Sequence, residues 1–228
     1  AIKNSGKKIL LLLNSSEWEN SGFKSSKTNI FGSQQNAIEW ILDKFLKNNK
    51  DYFLIFRFHP QFAFRDKKYK EKLHQMIKNK SLDNLYIFKP ESKINTQALI
   101  TFSDKIITFY SSTAPEATFK NKRVISIGPA SFQEFGCCEM VLSKKDFRQR
   151  LLKKSSLPIK IIEKRKRNAA LFFFARSFQG YKCSFLKYDK NNNPFILYQN
   201  KKKYLYSPFF IYLTFKYIRA VFFLLKHS

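Results

Sequence analysis

Lys105-Ile-Ile-Thr-Phe109 is a mostly apolar run that stops at Tyr110-Ser-Ser-Thr113, and Ala-Pro-Glu-Ala117 then opens a helix. A second apolar run, Arg123-Val-Ile-Ser-Ile127, follows at once and ends at Gly128. Runs without apolar–polar alternation belong to strands covered on both faces, and a strand–turn–helix–strand order is how a parallel sheet acquires that cover. The same order recurs along the chain. Strands are expected over 8–14, 52–58 and 85–88, and a last short one over 140–142. Helices are expected over 34–48, 69–79, 95–102 and 145–153. In the first of these, Ile38, Ile41, Leu42, Phe45 and Leu46 fall at helical spacing. The fold class expected is α/β, a parallel sheet with helices on both faces, occupying residues 1–154.

Beyond residue 155 the composition changes. Residues 144–228 hold 21 Lys and Arg against 3 Asp and Glu, most of the excess behind a formal charge of +27. A basic helix is expected over 163–179 and an aromatic, apolar one over 207–226, together forming a helical extension over 155–228. Lys216 and Arg219 fall within the latter, so a lipid-spanning segment is not expected. Such charge suits an anionic membrane surface or an anionic sugar-nucleotide, and the 207–226 helix suits either a membrane interface or packing on a missing domain. Nucleic acid is not the expected partner, because the cations are spread and no zinc-finger, RNP or GxxG signature accompanies them. The apolar content of 44% is ample for a core. Three cysteines without a CxxC spacing give neither a zinc site nor a disulfide framework, so Cys137 and Cys138 are expected to pack rather than react. The chain starts with Ala rather than Met and reads as a piece of a longer polypeptide.

Ligands of parallel α/β sheets sit at the carboxyl ends of the strands. His59 with Pro60 ends the second strand: the imidazole can donate to a phosphate oxygen, with Arg57 or Arg65 adding charge, or it can simply cap a loop. Ser111, Ser112 and Thr113 precede a helix, where hydroxyls and backbone N–H groups can cradle an anion. Ordinary capping, with Thr113 and Glu116 as a capping box, would account for the same residues. Two polar strand ends in one α/β unit favour a shared phosphate or nucleotide site. Glu17 and Glu19, after the first strand, are candidate acid/base groups or sugar-hydroxyl acceptors, or plain loop carboxylates. No role is assigned to His74 or His227.

These residues together resemble the capsule polysaccharide biosynthesis family, which includes Kdo transferases. The resemblance is carried by Leu10-Leu-Leu-Leu-Asn-Ser-Ser-Glu17, Ser33-Gln-Gln-Asn-Ala-Ile38, Phe56-Arg-Phe-His-Pro60 and Lys89-Pro-Glu-Ser92. It continues through Ser103-Asp-Lys-Ile-Ile-Thr-Phe-Tyr-Ser-Ser-Thr113, Pro115-Glu-Ala117, Asn121-Lys-Arg-Val-Ile125 and Gly128-Pro-Ala-Ser131. Pro115 stands where the family commonly has Gly, which alters backbone approach to a ligand there.

The resemblance implies a GT-B glycosyltransferase of two Rossmann-like domains, with this chain as the C-terminal, donor-binding half. It implies that His59, Pro60, Ser111, Ser112 and Thr113 hold a nucleotide-sugar, CMP-linked, and that Glu116 contacts its ribose. The acceptor half, with the catalytic base, is expected to be absent. The implied reaction moves a Kdo-like sugar to a glycan or lipid-linked acceptor, with no metal or cofactor. The implied location is the cytoplasm, peripheral on the inner face of the cytoplasmic membrane, with other capsule assembly proteins as further partners. A CDP-glycerol-type polyol-phosphate transferase and a non-catalytic assembly or export partner are the alternatives.

Overall fold

The apolar runs pair side by side in one sheet. In this computed structural model, which describes residues 6–15, 30–64, 67–78, 80–153, 157–178, 186–188, 194–198 and 201–204, the strands are β1 (Lys8–Leu13), β2 (Tyr52–Arg57), β3 (Leu85–Phe88), β4 (Lys105–Phe109), β5 (Arg123–Ile127) and β6 (Glu139–Met140). All pair in parallel, in the order β3-β2-β1-β4-β5-β6. This is the doubly wound order of the Rossmann fold, with the chain reversing its direction of winding between β1 and β4.

Period-two alternation sorts the strand residues onto two faces. Leu10, Leu12, Leu54, Phe56, Ile107, Phe109, Ile125 and Ile127 face one core. That core is completed by α1 (Gln34–Trp40), α2 (Lys67–Lys78) and α5 (Lys144–Leu152). Ile9, Leu11, Leu13, Ile55, Ile106 and Val124 face the other, against α3 (Thr96–Phe102), α4 (Thr113–Phe119) and α6 (Ile159–Phe178). Helices on both faces are therefore observed, as the uninterrupted strands required. Cys137 and Cys138 are buried in the second core, where burial pushes the Cys138 thiol up to about 12 and leaves it inert.

Three expectations change in detail. The helix over 34–48 is built as α1, a wider π turn (Ile41–Phe45) and a 3-10 turn (Leu46–Asn48); together they keep Ile41, Leu42, Phe45 and Leu46 fully buried. The basic helix α6 starts four residues earlier than expected, and it belongs with the sheet: Ala169 and Phe172 enter the second core, so residues 1–178 form one unit. The extension is also not wholly helical. Within the second unit, Gln179–Ser228, β7 (Leu186–Tyr188), β8 (Pro194–Tyr198) and β9 (Lys201–Tyr204) make a three-stranded antiparallel sheet. The helix expected over 207–226 lies outside the described residues.

Candidate functional site

β2, β1 and β4 are neighbours, and their registers bring Arg57, Leu13 and Thr108 to one level. With neighbouring strands about 4.8 Å apart, the residues following β2 and β4 emerge about 10 Å from one another, with the end of β1 between them. His59 and Ser111–Thr113 are those residues. The structure thus puts both polar turns on the carboxyl edge, and Ser111–Thr113 beside the β1/β4 reversal point where ligands of this fold bind.

The end of β1 organises this edge. Asn14 is buried, and its Oδ1 accepts the His59 backbone N–H at 2.7 Å. Gln34, the buried first residue of α1, accepts the Ser15 N–H on Oε1 at 2.8 Å and donates from Nε2 to the Ser15 carbonyl at 3.3 Å. Neither Asn14 nor Gln34 was singled out as a site residue, although both fall within the motifs quoted above. The His59 ring is half-buried, and its Nδ1 accepts the Gln61 N–H at 3.3 Å. In a neutral ring that hydrogen bond places the proton on Nε2.

At the end of β4, Tyr110 adopts a left-handed backbone, φ 55°, unusual for a residue with a side chain. Its ring lies against Gly128, which ends β5 with φ 84°; a Cβ there would come within 2.6 Å of the ring's Cε1. Glycine is thus required by two independent constraints.

The start of α4 differs from both sequence readings. Ser112 is the N-cap and its hydroxyl caps nothing. Ser111 Oγ donates to Thr113 Oγ1 at 3.0 Å and accepts the Thr113 N–H at 3.2 Å, while the Ser111 carbonyl accepts the Ala114 N–H at 3.0 Å. Pro115 has no N–H to offer. The first turn is therefore not an open amide cradle, and hydroxyls are the groups left for a ligand. Nor does Glu116 close a capping box: its Oε2 accepts from Gln97 Nε2 of α3 at 2.7 Å.

Arg57 lies beneath the edge. Buried, it donates from Nη1 to the Phe58 carbonyl at 2.8 Å and from Nη2 to the Ile94 carbonyl at 3.4 Å, while Nε has no partner. Burial lowers its pKa, and no carboxylate pairs with it among the described residues. Its charge is available to an anion through space rather than by direct contact. Glu17, Glu19 and Arg65 lie outside the described residues.

A reversed-order parallel sheet with helices on both faces defines a Rossmann-type α/β domain, here with hydroxyl and imidazole groups on its carboxyl edge. Residues 26–156, more than half of the chain, match the model of the family described as "Capsule polysaccharide biosynthesis protein". The chain belongs to that family. No curated protein sequence matches it. Among solved structures it is similar to KpsC, the beta Kdo 2,7 transferase of Thermosulfurimonas dismutans, with 14% identity over 92% of this chain and 55% of that one, TM-score 0.39. It is also similar to MnaA of S. aureus in complex with UDP, with 15% identity over 78% and 46% of the two chains, TM-score 0.44. The C-terminal domain of the Francisella tularensis group 1 glycosyl transferase LpcC gives 16% identity over 78% and 88%, TM-score 0.44. The chain spans about half the length of the first two.

Proposed function

We propose that this chain is the donor-binding half of a glycosyltransferase of capsule or surface polysaccharide biosynthesis, and that it binds a CMP-activated, Kdo-like acidic sugar. The observation that carries this reading is the placement of His59 and Ser111–Thr113 on one edge, flanking the end of β1 at the reversal point. His59 Nε2 would donate to the nucleotide phosphate, the Ser112 and Thr113 hydroxyls would donate to its other oxygens, with Ser111 orienting Thr113, and Glu116, oriented by Gln97, would accept from the ribose. A single phosphate carries little enough charge that these donors and the Arg57 field suffice without a metal or cofactor. The acceptor, a glycan or lipid-linked chain, and the catalytic base would come from outside this unit.

The experiment is a calorimetric titration of the purified chain with CMP, CDP and UDP. CMP is expected to bind most tightly. A preference for UDP overturns the donor assignment, a preference for CDP favours polyol-phosphate transfer, and no nucleotide binding by folded protein leaves the assembly-partner reading.

We also place the protein on the inner surface of the cytoplasmic membrane, on the outer face of α6. Lys160, Lys164, Arg167, Leu171 and Phe174 recur at helical spacing and are exposed, Leu171 at 48% and Phe174 at 55%. Cations followed by apolar groups on one stripe suit an anionic interface. No helix among the described residues is long and apolar enough to cross a membrane. Reversing Lys160, Lys164 and Arg167 to Glu should weaken cosedimentation with phosphatidylserine vesicles by about a hundredfold, from about 1 kcal/mol per cation. Unchanged sedimentation would remove this face from the interface.

A further inference from the structure

A hollow lies away from the carboxyl edge. A cavity of about 260 Å³ opens at the opposite edge, among the first residues of the strands: Lys8 of β1, Tyr52 of β2, Lys105 of β4 and Arg123 of β5. The end of α4 and the first turns of α6 close it, with Thr118, Lys122 and Arg165 in the wall. Lys8, Lys105, Lys122, Arg123 and Arg165 line it against a single carboxylate, Asp104.

Some of these cations have structural partners. Lys105 Nζ donates to the Arg150, Leu151 and Lys153 carbonyls at the end of α5, and Lys122 Nζ donates to the Thr101 and Ser103 carbonyls at the end of α3. Arg123 holds Glu139 through Nε and Nη2, at 2.7 and 3.1 Å. Carbonyl dipoles satisfy donors without cancelling charge. Glu139 is moreover shared among Arg123, Arg150 and Arg165, so the wall keeps a positive excess. Burial and the neighbouring Arg123 push the Lys105 pKa down to about 8, consistent with that excess.

Three groups remain uncommitted. Lys8 is exposed at the cavity mouth, and its ammonium has no partner among the described residues. Among the described residues Arg165 uses Nη1 alone, on Glu139 at 3.2 Å. Thr118, 4% exposed, has a hydroxyl without a hydrogen-bond partner, an orphan of the kind that a ligand or water relieves.

We propose that this cavity is a second anion site, separate from the carboxyl edge, that takes a small phosphate-class anion of the size of diphosphate. The volume accommodates diphosphate and is below what ligand pockets usually need for a whole nucleotide-sugar. Guanidinium and ammonium donors on several sides match a tetrahedral polyanion better than a lone carboxylate. At the other edge the sheet presents hydroxyls and an imidazole with one buried cation; here it presents a basin of charge. The two ends of the sheet therefore select different ligands.

The test is calorimetric titration of the chain with inorganic pyrophosphate at constant ionic strength. One site per chain is expected. Lys8→Glu, at an exposed position, should weaken it by about tenfold or more, since it reverses a charge at the mouth. Lys145→Glu, an exposed charge reversal outside the cavity, and His59→Ala, at the other edge, should leave it unchanged. Equal weakening by Lys145→Glu would show attraction to net charge alone and overturn the proposal. Loss with His59→Ala would put the anion at the carboxyl edge, and titration without saturation would show no built site; either result overturns it as well. The readout needs no nucleotide, so its failure and a failure to bind CMP are separate results.

Discussion

Replacing His59 with alanine is expected to weaken CMP binding by about ten- to a hundredfold, the value of about 1.5–3 kcal/mol for a hydrogen bond to a charged group. In cells carrying the complete protein, the same change should suppress polymer formation. The fold should survive. The bond that ties this residue to Asn14 uses the backbone N–H, which alanine keeps, and the imidazole's bond from Gln61 is long at 3.3 Å. His59→Gln, which retains a donor, should recover part of the affinity. Unchanged CMP affinity in His59→Ala, with an unchanged melting temperature, would remove the imidazole from the site. A collapse in melting temperature would instead make His59 a loop-holding residue.

Glu139→Gln should destabilise the protein by roughly 3–5 kcal/mol, the usual cost of breaking a buried ion pair from one side. Glu139 is 4% exposed and pairs with Arg123 at 2.7 Å, Arg150 at 2.9 Å and Arg165 at 3.2 Å. Burial alone would raise its pKa. The hydrogen bonds and charge of Arg123, with Arg165 and Arg150, prevail and hold it at about 2, against an ordinary 4.5. Because the folded value is the lower one, the stabilisation is complete above about pH 4.5 and is lost as pH falls through about 2. A gap of that size corresponds to about 3 kcal/mol. Denaturant midpoints measured from pH 6 to 2 should therefore fall in the wild type, and the Gln variant should lack this contribution. Equal slopes in the two proteins would mean that the carboxylate is not ionised by its arginines.

The sheet was legible because strands buried on both faces leave uninterrupted apolar runs, and the limits of β2, β4 and β5 follow from those runs. The π turn at Ile41–Phe45 was not, since a shift in backbone hydrogen bonding changes no side-chain pattern over so few residues. The strands β7–β9 were missed because Asn, Lys and Tyr dominate their surroundings and hide the alternation. At the site, His59 and Ser111–Thr113 stood out as polar punctuation after apolar runs. Asn14, Gln34 and Gln97 did not. Each acts on a group far away in the chain, on His59, Ser15 and Glu116, and only the topology brings those partners together. Arg57 looked available as an arginine at a strand end, yet strand alternation turns it inward onto carbonyls. The basic cavity was invisible for a related reason: its walls are strand beginnings scattered from Lys8 to Arg165, adjacent only once the sheet is wound.

The ring of Tyr110 resting on the bare backbone of Gly128 ties the ends of β4 and β5 together sterically, so a change at one must be matched at the other. Exchanging only the segment after β4 between members of this family would leave the glycine side mismatched. The smallest transferable cassette is the pair of turns together, with the tyrosine and the glycine carried across as a unit.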